Sequence, residues 1–281
     1  CKWARSTLGS ETRRFFPPHN AGGRGSRRGK ARGTLMMAML LERPKVEEAL
    51  QAVFAREGFM VRRVPTEHAG GKWQLRYPSA GGQGGNLEVD VNFMFRVPLW
   101  PVQRIDSRQV GIWQATGISV VDVHELAAGK LSALLSRRQA RDLFDCSNLF
   151  RLGGLDLERL RLAFVVYGAM SRTDWRTIAL KDVDVDTADL EQKLIPTLRS
   201  AGSEYIRKDQ FGKGLIEDCR NLLASLLPFT APEQEFLDRI LDMGEIAPEL
   251  LTGDEALQNR IRRHPLLEWK AVNVRSHKKG S

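Results

Sequence analysis

Between His124 and Asp145 the chain reads HELAAGKLSALLSRRQARDLFD, with one lysine, three arginines and two aspartates beside an apolar stripe of Leu131, Leu134 and Leu135. Lys130, Leu134, Arg138 and Asp142 fall four apart, as do Arg141 and Asp145. This spacing predicts one side of a continuous helix. Cations and carboxylates this dense beside a buried stripe suit the positioning of phosphates and of ion-paired acids. The competing reading is a row of solvated surface ion pairs, each worth a few tenths of a kcal/mol. A second set of acids lies on the stretch Leu87–Phe95. Leu87, Val89, Val91 and Phe93 alternate there with Glu88, Asp90 and Asn92. That alternation predicts a strand with an apolar face and a face carrying two carboxylates. Such a pair could hold Mg²⁺ for phosphoryl transfer, or it could be the wet side of an ordinary strand.

Other motifs fail on spacing. Gly70-Gly71-Lys72 and Gly129-Lys130 lack the lead and the Ser/Thr of a phosphate loop, and His124-Glu125 has Ala128 where a zincin helix needs histidine. Asp182, Asp184 and Asp186 open like a calcium loop, but neither its glycine nor its closing glutamate follows.

The elements around these residues follow from pattern. Pro44–Glu57 predicts a helix with Pro44 in its first turn, Val46, Leu50, Val53 and Phe54 inward and Gly58 as C-cap. Strands are expected at 59–65, 73–77 and 87–95, with the glycines at 81–85 forming a hairpin loop, and another at 109–121. Helices are expected over 122–151, 155–170, 187–199, 214–227, 232–243, 246–251 and 253–263. Asp122 is placed as an N-cap with Glu125 closing a capping box, and Asp156 as a second helix start. The fold class is therefore α/β (α+β): a small sheet domain over 35–121, then a helical domain over 122–281.

Composition narrows the class. The chain has 281 residues, 42% hydrophobic and 27% charged, as in a soluble globular protein. No run of 18 apolar residues exists, so no membrane span or membrane partner is expected. Nor does a signal-peptide pattern open the sequence. Three cysteines, Cys1, Cys146 and Cys219, lie far apart and point to a reducing, cytoplasmic setting, with Cys146 a core residue near Leu149. Of the net charge of +9, residues 1–34 carry +8, so the remainder is almost neutral and the charge does not make the whole chain a nucleic-acid binder. Residues 1–34, rich in Gly, Arg, Ser and Pro, are expected to lack packed structure.

Three blocks together resemble the AbiEii/AbiGii nucleotidyltransferase toxins of prokaryotic abortive infection. Gly129-Lys130-Leu131, followed by Arg137-Arg138 and Arg141-Asp142-Leu-Phe-Asp145, is similar to that family's Lys…Arg-Asp-x-x-Asp block. Leu87–Phe93 with Arg96-Val-Pro-Leu99 resembles its acidic strand, and His264-Pro-Leu-Leu-Glu-Trp-Lys-Ala-Val-Asn273 its closing block. The resemblance spans roughly 40–275. It implies a nucleotidyltransferase-type mixed sheet followed by helices. It also implies transfer of a nucleotide from a nucleoside triphosphate to an acceptor such as tRNA, with Mg²⁺ as cofactor and a cognate antitoxin as partner. On this resemblance Asp90, Lys130 and Asp145 are the catalytic candidates. Lys130, Arg138, Arg141 and Asp142 would bind nucleotide, and Asp90 with Glu88 would hold metal. Asp145 would orient Lys130 or an arginine, Asp142 would pair with Arg141, and the lysine helix would face the acidic strand.

The family also carries an upstream Gly-Ser block followed by Asp-x-Asp. This chain has no aspartate before Asp90, and Gly33-Thr34-Leu35 only echoes the glycines. A frame-shifted or damaged start over 1–34 is the expectation, with a genuine basic tail as the competing account. A weak or inactive transferase follows. Two alternatives stay open: a remnant that binds nucleotide, RNA or antitoxin without turnover, and an unrelated helical interaction protein.

Overall fold

The computed structural model describes residues 30–64, 70–78, 82–94, 97–198 and 208–278, the side chains of 30–42, 70, 208 and 209 excepted. They form two compact units that divide between Arg96 and Val97, whereas the sequence suggests a boundary after Val121.

The first unit holds helix α1 (Lys30–Arg56) and strands β1 (Met60–Arg63), β2 (Gly70–Tyr77) and β3 (Gly85–Asn92). The strands form one antiparallel sheet in the order β1-β2-β3. Leu75 pairs with Leu87 and Trp73 with Val89, while Gln74 pairs with Glu88 and Lys72 with Asp90. Side chains alternate across a strand, so one face is apolar and the other charged, as expected. Phe54, Trp73 and Leu75 are the buried centre, with Leu50, Phe59, Leu87, Val89 and Val91 packed around them. The expected apolar and charged faces are present, and every pair in this sheet is antiparallel where the resemblance implies a mixed sheet.

Helix α1 departs from its predicted form. It starts at Lys30 and carries Pro44 in its interior, and Val46 and Val53 are exposed rather than inward. It ends before Gly58, whose φ of +75° favours glycine. The expectation of an unpacked N-terminus falls on residues 1–29, outside the described residues, and on 30–34, which are helical.

The second unit opens with β4 (Gln103–Ile105) and β5 (Ile118–Val120), an antiparallel pair. Of the strand expected over 109–121 only Ile118–Val120 forms, as β5, while Val110 and Trp113 close a tight turn. Then follow α2 (Val123–Arg137), α3 (Ala140–Leu152), α4 (Leu157–Ala169), the short α5 (Thr187–Asp189), α6 (Lys208–Leu226), α7 (Ala231–Asp238), α8 (Glu255–Arg262) and α9 (Pro265–Lys278). α5 runs into a π turn at Leu190–Leu194, and α7 into another at Arg239–Met243. Helix α6 begins six residues before its predicted start, and α9 was not anticipated as a helix.

Apolar stripes at helical spacing build the core. Leu131, Leu134 and Leu135 of α2 meet Ala140, Leu143, Cys146 and Leu149 of α3 and Leu160, Ala163 and Phe164 of α4. Gly168 lets the Trp175 ring lie on α4, since a Cβ there would meet that ring at 1.9 Å. Cys146 is a buried free thiol, as expected, and burial pushes its pKa well up. No described helix is long and apolar enough to cross a membrane.

Candidate active site

The continuous helix expected over 122–151 is broken at Arg138. This residue sits in the left-handed region (φ 53°, ψ 41°), and its N–H donates to the Leu134 carbonyl at 2.7 Å, ending α2. Gln139 opens α3 without a side-chain cap. Instead Asp189, from the segment after α4, accepts from the Ala140 N–H at 2.7 Å.

The break makes the site. In a straight helix Lys130 and Asp145 would lie about 22 Å apart along the axis. Across the corner, Lys130 Nζ donates to Asp145 Oδ2 at 2.7 Å. The two residues are only 7% and 6% exposed. Beside them Arg137 grips Asp142 with two bonds, Nη2 to Oδ1 at 2.8 Å and Nε to Oδ2 at 3.1 Å. Burial raises the Asp142 pKa, opposed by the charges of Arg137 and Lys130. Its place in the first turn of α3 suits a carboxylate. Burial also excludes the solvated surface row as a description of Lys130, Asp142 and Asp145.

Other candidates are placed differently. Asp142 pairs with Arg137, not with the predicted Arg141. Arg138 turns outward to Asp182, 3.1 Å from Nη2 to Oδ1. Arg141 is half-buried, and its charge helps hold Asp189 below the usual carboxylate range against the burial that raises it, together with Lys193 and the Ala140 N–H.

Asp90 and Glu88 lie in the first unit. Glu88 is exposed and accepts from Lys72 Nζ at 3.2 Å and Gln74 Nε2 at 3.4 Å. Asp90 is half-buried opposite Lys72. Two-metal chemistry needs several carboxylates converging on the ions. Among the described residues no group of three or more His, Cys, Asp or Glu is placed to hold a metal. The acids described do not by themselves fit a Mg²⁺ centre.

Sequence reasoning missed Glu125. Asp122 does cap α2, accepting from the His124 N–H at 2.9 Å, but Glu125 does not close the capping box. It is buried and accepts from Leu99 N at 2.9 Å, Trp100 N at 3.1 Å and the Tyr167 hydroxyl at 3.1 Å. It therefore clamps the segment entering this unit onto the helix that carries Lys130. Burial raises its pKa, opposed by those hydrogen bonds. The signal was its helical phase, since Glu125 shares a face with Ala128, Leu131 and Leu135.

The closing block is a helix start. Pro265 takes the first position of α9, a place proline favours, and His264 Nδ1 accepts from Leu266 N at 3.3 Å. Lys270 Nζ donates to the Ser171 carbonyl at 2.7 Å. Ser171 in turn shares a hydroxyl contact of 3.2 Å with Ser136, the neighbour of Arg137 on α2.

Residues 38–242 match the family model described as nucleotidyl transferase AbiEii toxin, type IV toxin–antitoxin system. Among solved structures, the MenT4 nucleotidyltransferase toxin from Mycobacterium tuberculosis H37Rv is similar at 18% identity, with 77% of this chain and 68% of that chain covered and a TM-score of 0.46. No curated protein matches the chain. The family match spans most of the chain and takes in both the acidic strand and the corner with Lys130, Asp142 and Asp145, so the chain belongs to the AbiEii family of nucleotidyl transferase toxins.

Proposed function

We propose that the helical unit binds a nucleoside triphosphate at Lys130 and that this chain transfers the nucleotide to an RNA acceptor such as tRNA very slowly or not at all. The observation that carries the binding half is the Lys130–Asp145 contact made across the helix corner. Withdrawing two charges from water costs several kcal/mol per ion before their attraction offsets it, and such perturbed groups concentrate at functional sites. Lys130 supplies a compact positive charge for phosphate oxygens, Asp145 orients it, and Arg141 is a second cation for the same ligand. Arg137 holds Asp142 and so fixes the start of α3 against α2. The transfer half rests on the donor set: family chemistry is metal-assisted, and the described acids do not assemble such a centre. The cognate antitoxin is the expected protein partner, and the cytoplasm the expected compartment.

Two measurements test this. Equilibrium dialysis with each labelled triphosphate should show binding by the unmodified chain and at least tenfold weaker binding by Lys130→Ala. Incorporation of label from the same triphosphates into total tRNA with Mg²⁺ should stay near background. Robust Mg²⁺-dependent incorporation would overturn the transfer half. No binding of any triphosphate would overturn the binding half and leave a helical interaction protein.

A further inference from the structure

The β4–β5 ribbon plays no part in the site at Lys130, yet it is firmly built. Ser107 N donates to the Ala115 carbonyl at 2.7 Å, and Val110 and Trp113 exchange backbone bonds of 2.9 and 3.1 Å around Gly111, whose φ is +61°. The Asp106 carboxylate accepts from Gly117 N at 2.7 Å. Despite this, the apolar side chains of the ribbon face water. Val102, Ile105, Val110 and Ile118 are exposed, and Ile112 and Trp113 at the tip are 85% and 76% exposed. Contiguous exposed apolar surface marks an interaction site.

The charges indicate the partner. Arg104 and Arg108 are exposed on the same ribbon. Arg104 Nη1 bonds the Gly117 carbonyl at 2.8 Å, and neither arginine has a carboxylate within ion-pair distance among the described residues. Elsewhere in this unit Arg137, Arg138, Arg161 and Arg176 pair with acids, while Arg260 and Arg275, like Arg104, bond backbone carbonyls. The one acid of the ribbon, Asp106, is turned to its own backbone. Cations without counter-charge on the same ribbon as an open indole match a polyanion with flat faces, which is single-stranded nucleic acid.

We propose that residues 102–120 form an RNA-binding arm in which Trp113 stacks an unpaired base and Arg104 and Arg108 take backbone phosphates. This rests on the reading of the chain as a transferase with an RNA acceptor, and it names the surface that receives that RNA. The arm is preorganised by its own hydrogen bonds, so little ordering opposes binding.

The test uses the full chain and a fluorescein-labelled 12-nucleotide single-stranded RNA, followed by anisotropy from 50 to 200 mM KCl. Residues 1–34 add a basic background common to every variant, so the readout is the difference between variants. Trp113→Ala should weaken binding about tenfold, and Trp113→Phe should retain it within about threefold, because any aromatic face stacks. Arg104→Gln with Arg108→Gln should lower the slope of log affinity against log salt by about 1.4, two phosphates at roughly 0.7 each. None of these should change triphosphate binding, while Lys130→Ala should lose triphosphate and keep RNA, so the two readings fail separately. Equal RNA binding by the unmodified chain and Trp113→Ala overturns the arm. So does self-association, measured by sedimentation, that the ribbon variants abolish while RNA binding stays unchanged.

Discussion

At the scale of single residues, the chain combines a buried ion pair with a buried neutral histidine, and the two predict opposite kinds of sensitivity. Lys130→Ala leaves Asp145 in the interior without its cation. Breaking such a pair costs about 3–5 kcal/mol, whereas replacing both members with apolar groups of similar volume is often near neutral. Urea melts should therefore show a large loss for Lys130→Ala and a much smaller one for Lys130→Met with Asp145→Leu, with triphosphate binding lost in both. A double variant as unstable as the single one would show that the pair is not the buried unit drawn here. His264 is depressed to about 4 by burial. Its unfolded form takes a proton near 6.5 while the folded form stays neutral, so stability falls as pH drops from 6.5 towards 4, by at most about 1.4 kcal/mol per pH unit. Comparing His264→Asn with the unmodified chain over pH 4–7 isolates this slope, which the variant should lack. The residue types at the site were legible, since Lys130, Asp142 and Asp145 stand out by charge. Their partners were not, because Arg137 and Arg141 are equally plausible for Asp142 until the backbone between them is known.

At the scale of elements, the sheet was legible and the corner was not. The pairing of β2 with β3 is local, and its alternation leaves a period-2 record in Leu87–Phe93. The corner leaves no record. The stripe of α2 and the stripe of α3 are both helical, and the single left-handed residue between them is arginine rather than glycine. In 109–121 only Ile118–Val120 became strand, since Val110 and Ile112 alternate like strand residues but are left exposed. A non-glycine residue in the left-handed region costs about 1 kcal/mol, and more when β-branched. Arg138→Gly should thus leave thermal stability unchanged or raise it slightly, the lost exposed link to Asp182 being small. Arg138→Val should lower stability by about 1–2 kcal/mol. If differential scanning calorimetry finds the two equal, the backbone at 138 is not held as described.

At the scale of the whole molecule, the two units have separate cores of very different size. The larger core draws its buried residues from Leu99 onward, and the smaller centres on Phe54, Trp73 and Leu75. A fragment of residues 97–278 should therefore keep helical circular dichroism and a cooperative melt. Residues 43–94 alone should be marginal, since a small sheet with few buried side chains cannot offset its conformational entropy. Failure of 97–278 to melt cooperatively would show that its core needs the first unit. The α/β-then-helical order was legible from the change of period along the chain. The extent of α9 was not, because its sequence reads first as a motif and its few buried positions, Pro265, Leu267 and Ala271, are too sparse for a clear stripe.

The corner at Arg138 also governs which changes of length the chain tolerates. Each residue added to a helix turns everything after it by about 100°. One residue inserted or deleted between Arg137 and Ala140 would swing Asp142 and Asp145 off Arg137 and Lys130 together, although every side chain were kept. Gln139 itself makes no cap on α3 with its side chain. Arg138 and Gln139 thus act as a spacer of fixed length. In a collection of variants, this spacer should show substitutions before any insertion or deletion.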